Sequence, residues 1–144
     1  VLTRQKLPLL DYAGTGERVA KGGYVLAESP TGRVDRVLLA SGSEVSIALD
    51  AQRLLAADGI GARVVSMPCM ELFAAQNAVY RESVLPQGIR RVAVEAAHPM
   101  SWHSLVDAVD VVGISTFGAS APYQRLYKEY GLTPEEVAAR ARRG

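Results

Sequence analysis

Four stretches of this 144-residue chain carry side chains of kinds that do chemistry. The first is Ser41-Gly42-Ser43-Glu44-Val45. Gly42 lets the backbone turn tightly, Ser41 and Glu44 have the spacing of a capping box, and N–H groups freed at such a helix start can hold an anion. The stretch lacks both the spacing and the Lys-Ser/Thr ending of a Walker A loop. Capping alone is the simpler reading, with an anion site as its alternative. The second stretch contains Cys69, in "SMPCMELF". A nucleophilic thiolate needs a base or cation beside it, and the sequence brings none near, so Cys69 reads as a small buried filler. The third runs from Glu95 through His98, Trp102 and His103. Glutamate and histidine together could move protons, although histidines bonded for structure or left in solvent are the commoner case. The fourth, residues 116–122 in "STFGASAP", bends at Gly118 and reads first as a structural loop.

All four follow valine- or leucine-rich runs that have the character of buried strands. Those runs are "RVLLA" from Arg36, "ARVVS" from Ala62, "RVAVE" from Arg91 and "DVVGI" from Asp110, with an earlier one, "GYVLA", from Gly23. In open α/β sheets, ligands sit beyond the carboxyl ends of parallel strands, which is where these candidates fall. Only "ESPTGRVD" separates the first two runs. A connection that short permits a hairpin but no crossover, so those two strands are expected to be antiparallel. The later gaps are longer and helical in pattern, which makes the last four strands mutually parallel.

The helix signals agree with this reading. "SEVSIALDAQRLLAADG" sets Val45, Ala48, Leu49, Gln52 and Leu55 on one stripe and stops at Asp58-Gly59. Further helical stretches lie near Glu71 to Asn77, Val79 to Val84, after Pro99 and in "YQRLYKEYG". Thr133, Pro134 and Glu136 mark the start of a last one by a capping box with proline at the first position. The expected fold is a three-layer α/β/α sandwich around a mixed five-stranded sheet, four strands parallel and one antiparallel.

Composition bounds what such a domain does. Apolar residues make up 49% and charged ones 22%, values of a globular domain. No apolar run approaches the roughly 18 residues of a spanning helix, so no membrane partner is expected. Sixteen basic against fifteen acidic side chains give a formal charge of +1, too weak a field for nonspecific nucleic-acid binding. Arg140, Arg142 and Arg143 read as a complement to the negative pole of the last helix. One cysteine excludes an internal disulfide, and with two histidines makes a structural zinc site a poor fit.

Taken in order, "LTRQKLP", "GGYVL", "ASGSEVSIAL", "ARVVSMPCMELF", "YRESVLP", "RVAVEA" and "TFGASAP" with "YKEYGLTPEEV" resemble the C-terminal region of the transketolase family. The resemblance spans nearly the whole chain. Cys69 stands where the family pattern has a serine, and "AAHPMSWHSLVDAVD" is a diverged form of its segment.

The resemblance implies that residues 1–21 end a preceding pyrimidine-binding domain and its linker, and that 22–144 form the C-terminal domain. It implies a cytoplasmic homodimeric transferase of the pentose phosphate pathway. That enzyme moves a two-carbon ketol unit from a ketose phosphate to an aldose phosphate. Its thiamine diphosphate and divalent cation, magnesium, would be bound outside this fragment. The chain has no Gly-Asp-Gly metal motif and a single asparagine, Asn77. The C-terminal domain would then be structural, supporting dimer packing, and inactive when isolated. One binding role carries over, to Arg4, whose guanidinium would contact the substrate phosphate in the intact enzyme; no catalytic, cofactor or metal ligand is assigned. The competing expectation is a regulatory module that binds an anion or nucleotide through the 41–45 and 116–122 loops.

Overall fold

Alternation along the strands sends neighbouring side chains to opposite sides of one sheet. Val37 and Leu39 face one way, Leu38 and Ala40 the other, and all four are fully buried. A sheet buried on both faces needs a layer of helices on each. A computed structural model, describing residues 6–10 and 15–143, has this arrangement. Its strands are β1 (Tyr24–Ala27), β2 (Arg36–Ala40), β3 (Ala62–Ser66), β4 (Arg90–Val94) and β5 (Val111–Val112). Its helices are α1 (Thr15–Val19), α2 (Val45–Ala57), α3 (Met70–Ala74), α4 (Ala78–Val84), α5 (Tyr123–Glu129) and α6 (Pro134–Arg142).

On one face, Leu38, Val64, Val92 and Val94 pack against Ala48, Leu55, Val137 and Ala138 of α2 and α6. On the other, Val37, Leu39, Val65 and Ala93 meet Phe73 of α3, Val84 of α4 and Trp102. The expected stripe on α2 is buried throughout. Its one polar member, Gln52, is satisfied by donating from Nε2 to the carbonyls of Glu28 (3.0 Å) and Ala62 (2.8 Å).

The sheet order is β1-β3-β2-β4-β5. Strands β2 to β5 are parallel and β1 is antiparallel, as the sequence implies, but β1 pairs with β3 and not with β2. The short connection is therefore no hairpin. It carries the chain past the start of β3, a step of two strand spacings, or about 10 Å, which eight residues span easily. The crossing is fixed at Gly61, whose carbonyl accepts from the N–H groups of Asp35 (2.7 Å) and Arg36 (3.0 Å). Its own N–H donates to Asp35 Oδ2 at 2.7 Å. A Cβ on Gly61 would lie 2.1 Å from the Arg33 carbonyl oxygen, so only glycine admits this approach.

The chain also reverses direction within the sheet. β3 lies on one side of β2 and β4 on the other, so the loops leaving β2 and β4 diverge and leave a crevice between them.

Candidate functional site

The residues at that crevice differ from a bare anion cradle. After β2, a single 3-10 turn (Gly42–Glu44) leads into α2, with Ser41 as its cap residue. The expected capping box does not form: Ser41 makes no side-chain cap bond. Its hydroxyl instead donates to Glu95 Oε2 at 2.7 Å, across to the end of β4. Glu44 turns inward, is only 2% exposed, and accepts a hydrogen bond from the Tyr127 hydroxyl of α5 at 2.5 Å. Long-range partners have outcompeted the local cap.

Two carboxyls thus stand near the helix start, Glu95 held by Ser41 and Glu44 by Tyr127. Burial raises the Glu95 pKa most; the Ser41 hydrogen bond opposes it, and the Glu44 charge raises it further. Burial also raises the Tyr127 phenol, to about 12, aided by the bond to Glu44. The groups acting most strongly on Glu95 and Tyr127 include no cation. An anion docked at this helix start would meet two acidic side chains, so the geometry does not favour the anion reading of 41–45.

Trp102 completes the cluster from the far side. Its side chain is fully buried, and its Nε1 has no partner in hydrogen-bond geometry. The indole N–H lies near enough to Glu95 to favour the carboxylate without bonding it. Neither histidine joins. His98 caps the short 3-10 turn Pro99–Trp102, its Nδ1 accepting from the Met100 N–H at 3.2 Å, and His103 follows that turn on the surface. The commoner reading of the two histidines, as exposed or structurally bonded side chains, thereby holds, and the partners of Glu95 and Glu44 are Ser41 and Tyr127. Tyr127 was invisible to sequence reasoning because it lies 83 residues from Glu44.

The remaining candidates are structural. Cys69 is half-buried at the start of α3, and its thiol approaches only Glu71 Oε2, at 3.4 Å. That contact brings no cation or histidine to the thiol, so nothing in it prepares a nucleophile. The 116–122 loop is exposed along its length, with Phe117 98% exposed and its carbonyl held by the Tyr130 hydroxyl at 3.1 Å. Arg4 lies outside the described residues.

A cofactor and metal of the kind the resemblance implies do not fit what is here. No group of three or more His, Cys, Asp or Glu among the described residues is placed to hold a metal ion. The one asparagine, Asn77, is spent capping α4, its Oδ1 accepting from the Tyr80 N–H at 2.9 Å. No described helix is long and apolar enough to cross a membrane.

Comparison with known proteins gives a consistent result. The family profile described as "Transketolase-like TK C-terminal domain" matches residues 22–133. The plasmid-borne transketolase of Cupriavidus necator is 52% identical over 144 residues, covering 99% of this chain and 21% of its own length. The transketolase of Rhodobacter capsulatus is 50% identical over 149 residues, covering 98% of this chain and 22% of itself. Among solved structures, the Pichia stipitis transketolase in complex with sedoheptulose 7-phosphate superposes with a TM-score of 0.86. Its identity is 38%, covering 96% of this chain and 20% of that one. The chain therefore spans about a fifth of the length of the curated relatives it matches.

Proposed function

The chain belongs to the transketolase C-terminal domain family, and from that premise we propose that it serves as the non-catalytic C-terminal domain of a transketolase. The intact enzyme would transfer a two-carbon ketol unit from a ketose phosphate to an aldose phosphate. The observation that carries this reading is the match over residues 22–133. The sugar phosphate held by the Pichia stipitis enzyme supports the substrate class.

Thiamine diphosphate with a divalent cation, magnesium, would supply the bond-breaking chemistry from other domains of a cytoplasmic homodimer in the pentose phosphate pathway. This domain would contribute packing. The division into 1–21 as the end of a preceding domain and 22–144 as the C-terminal domain is supported by a family match that begins at residue 22. It also suits the entry of the chain into the fold, where the Gly22 carbonyl accepts from the Cys69 N–H at 2.9 Å.

Two assays test the proposal. Supplied with thiamine diphosphate, magnesium, xylulose 5-phosphate and ribose 5-phosphate, the complete protein turns over and the 144-residue chain alone does not. Turnover by the chain alone, or none by the complete protein, overturns it. For Arg4, replacement by alanine in the complete protein raises KM for phosphorylated sugars more than for unphosphorylated ones. Equal changes would mean that Arg4 acts through folding and not through the phosphate.

A further inference from the structure

We infer that the groove enclosed by α3, α4, Ser104 and Leu105 binds an amphipathic carboxylate, a ligand with an apolar body and one anionic group. The groove lies on the face of the sheet opposite α2 and α6, and neither Glu44 nor Glu95 lines it. Its volume is about 750 Å³, within the roughly 300–1,000 Å³ of small-molecule pockets. Met70, Phe73, Ala78, Val79, Leu85 and Leu105 supply the apolar lining. The two helices are short, and each buries one side chain, Phe73 or Val84, against the sheet. Little remains to fill the space between them, and Val79 stands 81% exposed beside it.

The charge on the walls selects the ligand. Arg81 and Arg91 both line the groove, and every hydrogen bond they make among the described residues goes to a backbone carbonyl. Arg91 donates from Nη2 to the carbonyls of Leu85 (3.0 Å) and Pro86 (3.4 Å) and from Nη1 to that of Leu105 (3.2 Å). It thereby ties one wall to the other. Arg81 Nη1 donates to the Ala74 carbonyl at 2.7 Å and holds α4 to the end of α3. Carbonyls fix a guanidinium in place without neutralising it.

On Arg81 this leaves Nε and Nη2, the same paired edge that Arg90 presents to the Asp110 carboxylate at 3.0 and 2.6 Å. Such an edge matches two carboxylate oxygens. One acid lines the groove, Glu82, and its Oε1 accepts from the Gln87 N–H at 2.9 Å. Two cations against one acid favour an anion, and the apolar lining rewards an anion that carries a body to bury. A bare phosphate or a hydrophobic amine meets only half of the site.

Naphthoate serves as the probe, since it joins a fused aromatic body to one carboxylate. Titrated calorimetrically into the complete protein, it binds saturably with a Kd on the order of 1 mM, as a ligand this small should. Amides of 70–82 and 104–105 gain protection from hydrogen exchange. Naphthylmethylamine, with the charge reversed, and acetate, with no apolar body, each bind at least about tenfold more weakly. Arg81→Gln, at an exposed position, weakens naphthoate about fivefold, and Glu82→Gln strengthens it about twofold. These opposed signs separate a charged contact from a change in folding. No saturable binding, equal binding of the amine, protection elsewhere in the protein only, or an affinity that neither substitution moves would overturn the proposal. So would absent binding with 70–82 already protected in the free protein, which would mean that another part of the polypeptide or a second copy covers the groove.

Discussion

The two ends of the sheet solve the problem of buried charge in opposite ways. At the amino end, acids meet arginines or backbone donors. Asp110, 5% exposed, accepts from Arg90 Nη2 at 2.6 Å and Nε at 3.0 Å in a forked pair. Arg36 Nε donates to the Ala141 carbonyl at 2.7 Å, and Arg90 also bonds the Arg143 carbonyl, so strand arginines cap the end of α6. At the carboxyl end, Glu95 accepts from the Ser41 hydroxyl at 2.7 Å and Glu44 from the Tyr127 phenol at 2.5 Å. Carboxyls are held by guanidinium groups or backbone N–H at one end and by hydroxyl donors at the other. Burial holds the Glu95 carboxyl above its ordinary range, so the end where ligands usually bind in such folds carries the acid that keeps its proton to higher pH.

The largest expected effect tests the counter-ion end. Asp110→Ala removes the two forked bonds that Arg90 donates to a buried carboxylate and costs about 3 kcal/mol in urea unfolding. A loss near zero would mean that solvent replaces the partner freely, and the contrast between the ends would collapse. Next, Tyr127→Phe removes a hydrogen bond to a buried carboxyl acceptor and costs about 2 kcal/mol by the same measurement. An unchanged midpoint would show that α5 is held by packing alone.

The finest effects are opposite pH slopes from one acid at each end. The pKa of Asp35, at the amino end, is lowered first by its bond from the Gly61 N–H and then by Arg33. Its contribution is present above the unfolded aspartate value and is lost as pH falls through the folded one. Glu95 is raised, so the unfolded chain releases its proton first. Stability from that group is full below the unfolded glutamate value and declines as pH rises through the folded one. Thermal melts of Glu95→Gln should therefore gain on the wild type as pH rises, and those of Asp35→Asn should fall behind it. Parallel curves for both variants would erase the distinction.

Much of this was legible in the sequence. Alternating valine and leucine marked all five strands to within a residue or two, because burial on both sheet faces leaves a pattern independent of partners. The start of α6 was equally plain, since Thr133 and the Glu136 N–H are three residues apart and bond at 3.3 Å. The Glu136 side chain nevertheless completes no capping box and pairs with Arg140 at 3.0 Å. The tail arginines have the placement of a dipole complement, and two of them do stand in the last turn of α6. Yet Arg142 reaches across to Asp58 at 2.6 Å, while the carbonyl caps come from Arg36 and Arg90.

What stayed hidden was decided by distant partners. Ser41 and Glu44 have the spacing of a cap, but their bonds go to Glu95 and Tyr127, 54 and 83 residues away. The place of β1 beside β3 was hidden for a similar reason. The length of a connection limits which strand comes next but not which strand is later inserted between, and only Gly61 carried a trace of the crossing.

The division of labour between this domain and the rest of the enzyme is tested most directly by where the coenzyme binds. Isothermal titration of the 144-residue chain with thiamine diphosphate in excess magnesium should give only heats of dilution, while the complete protein gives a saturable curve. Saturable binding to the chain alone would contradict the assignment of that chemistry to other domains.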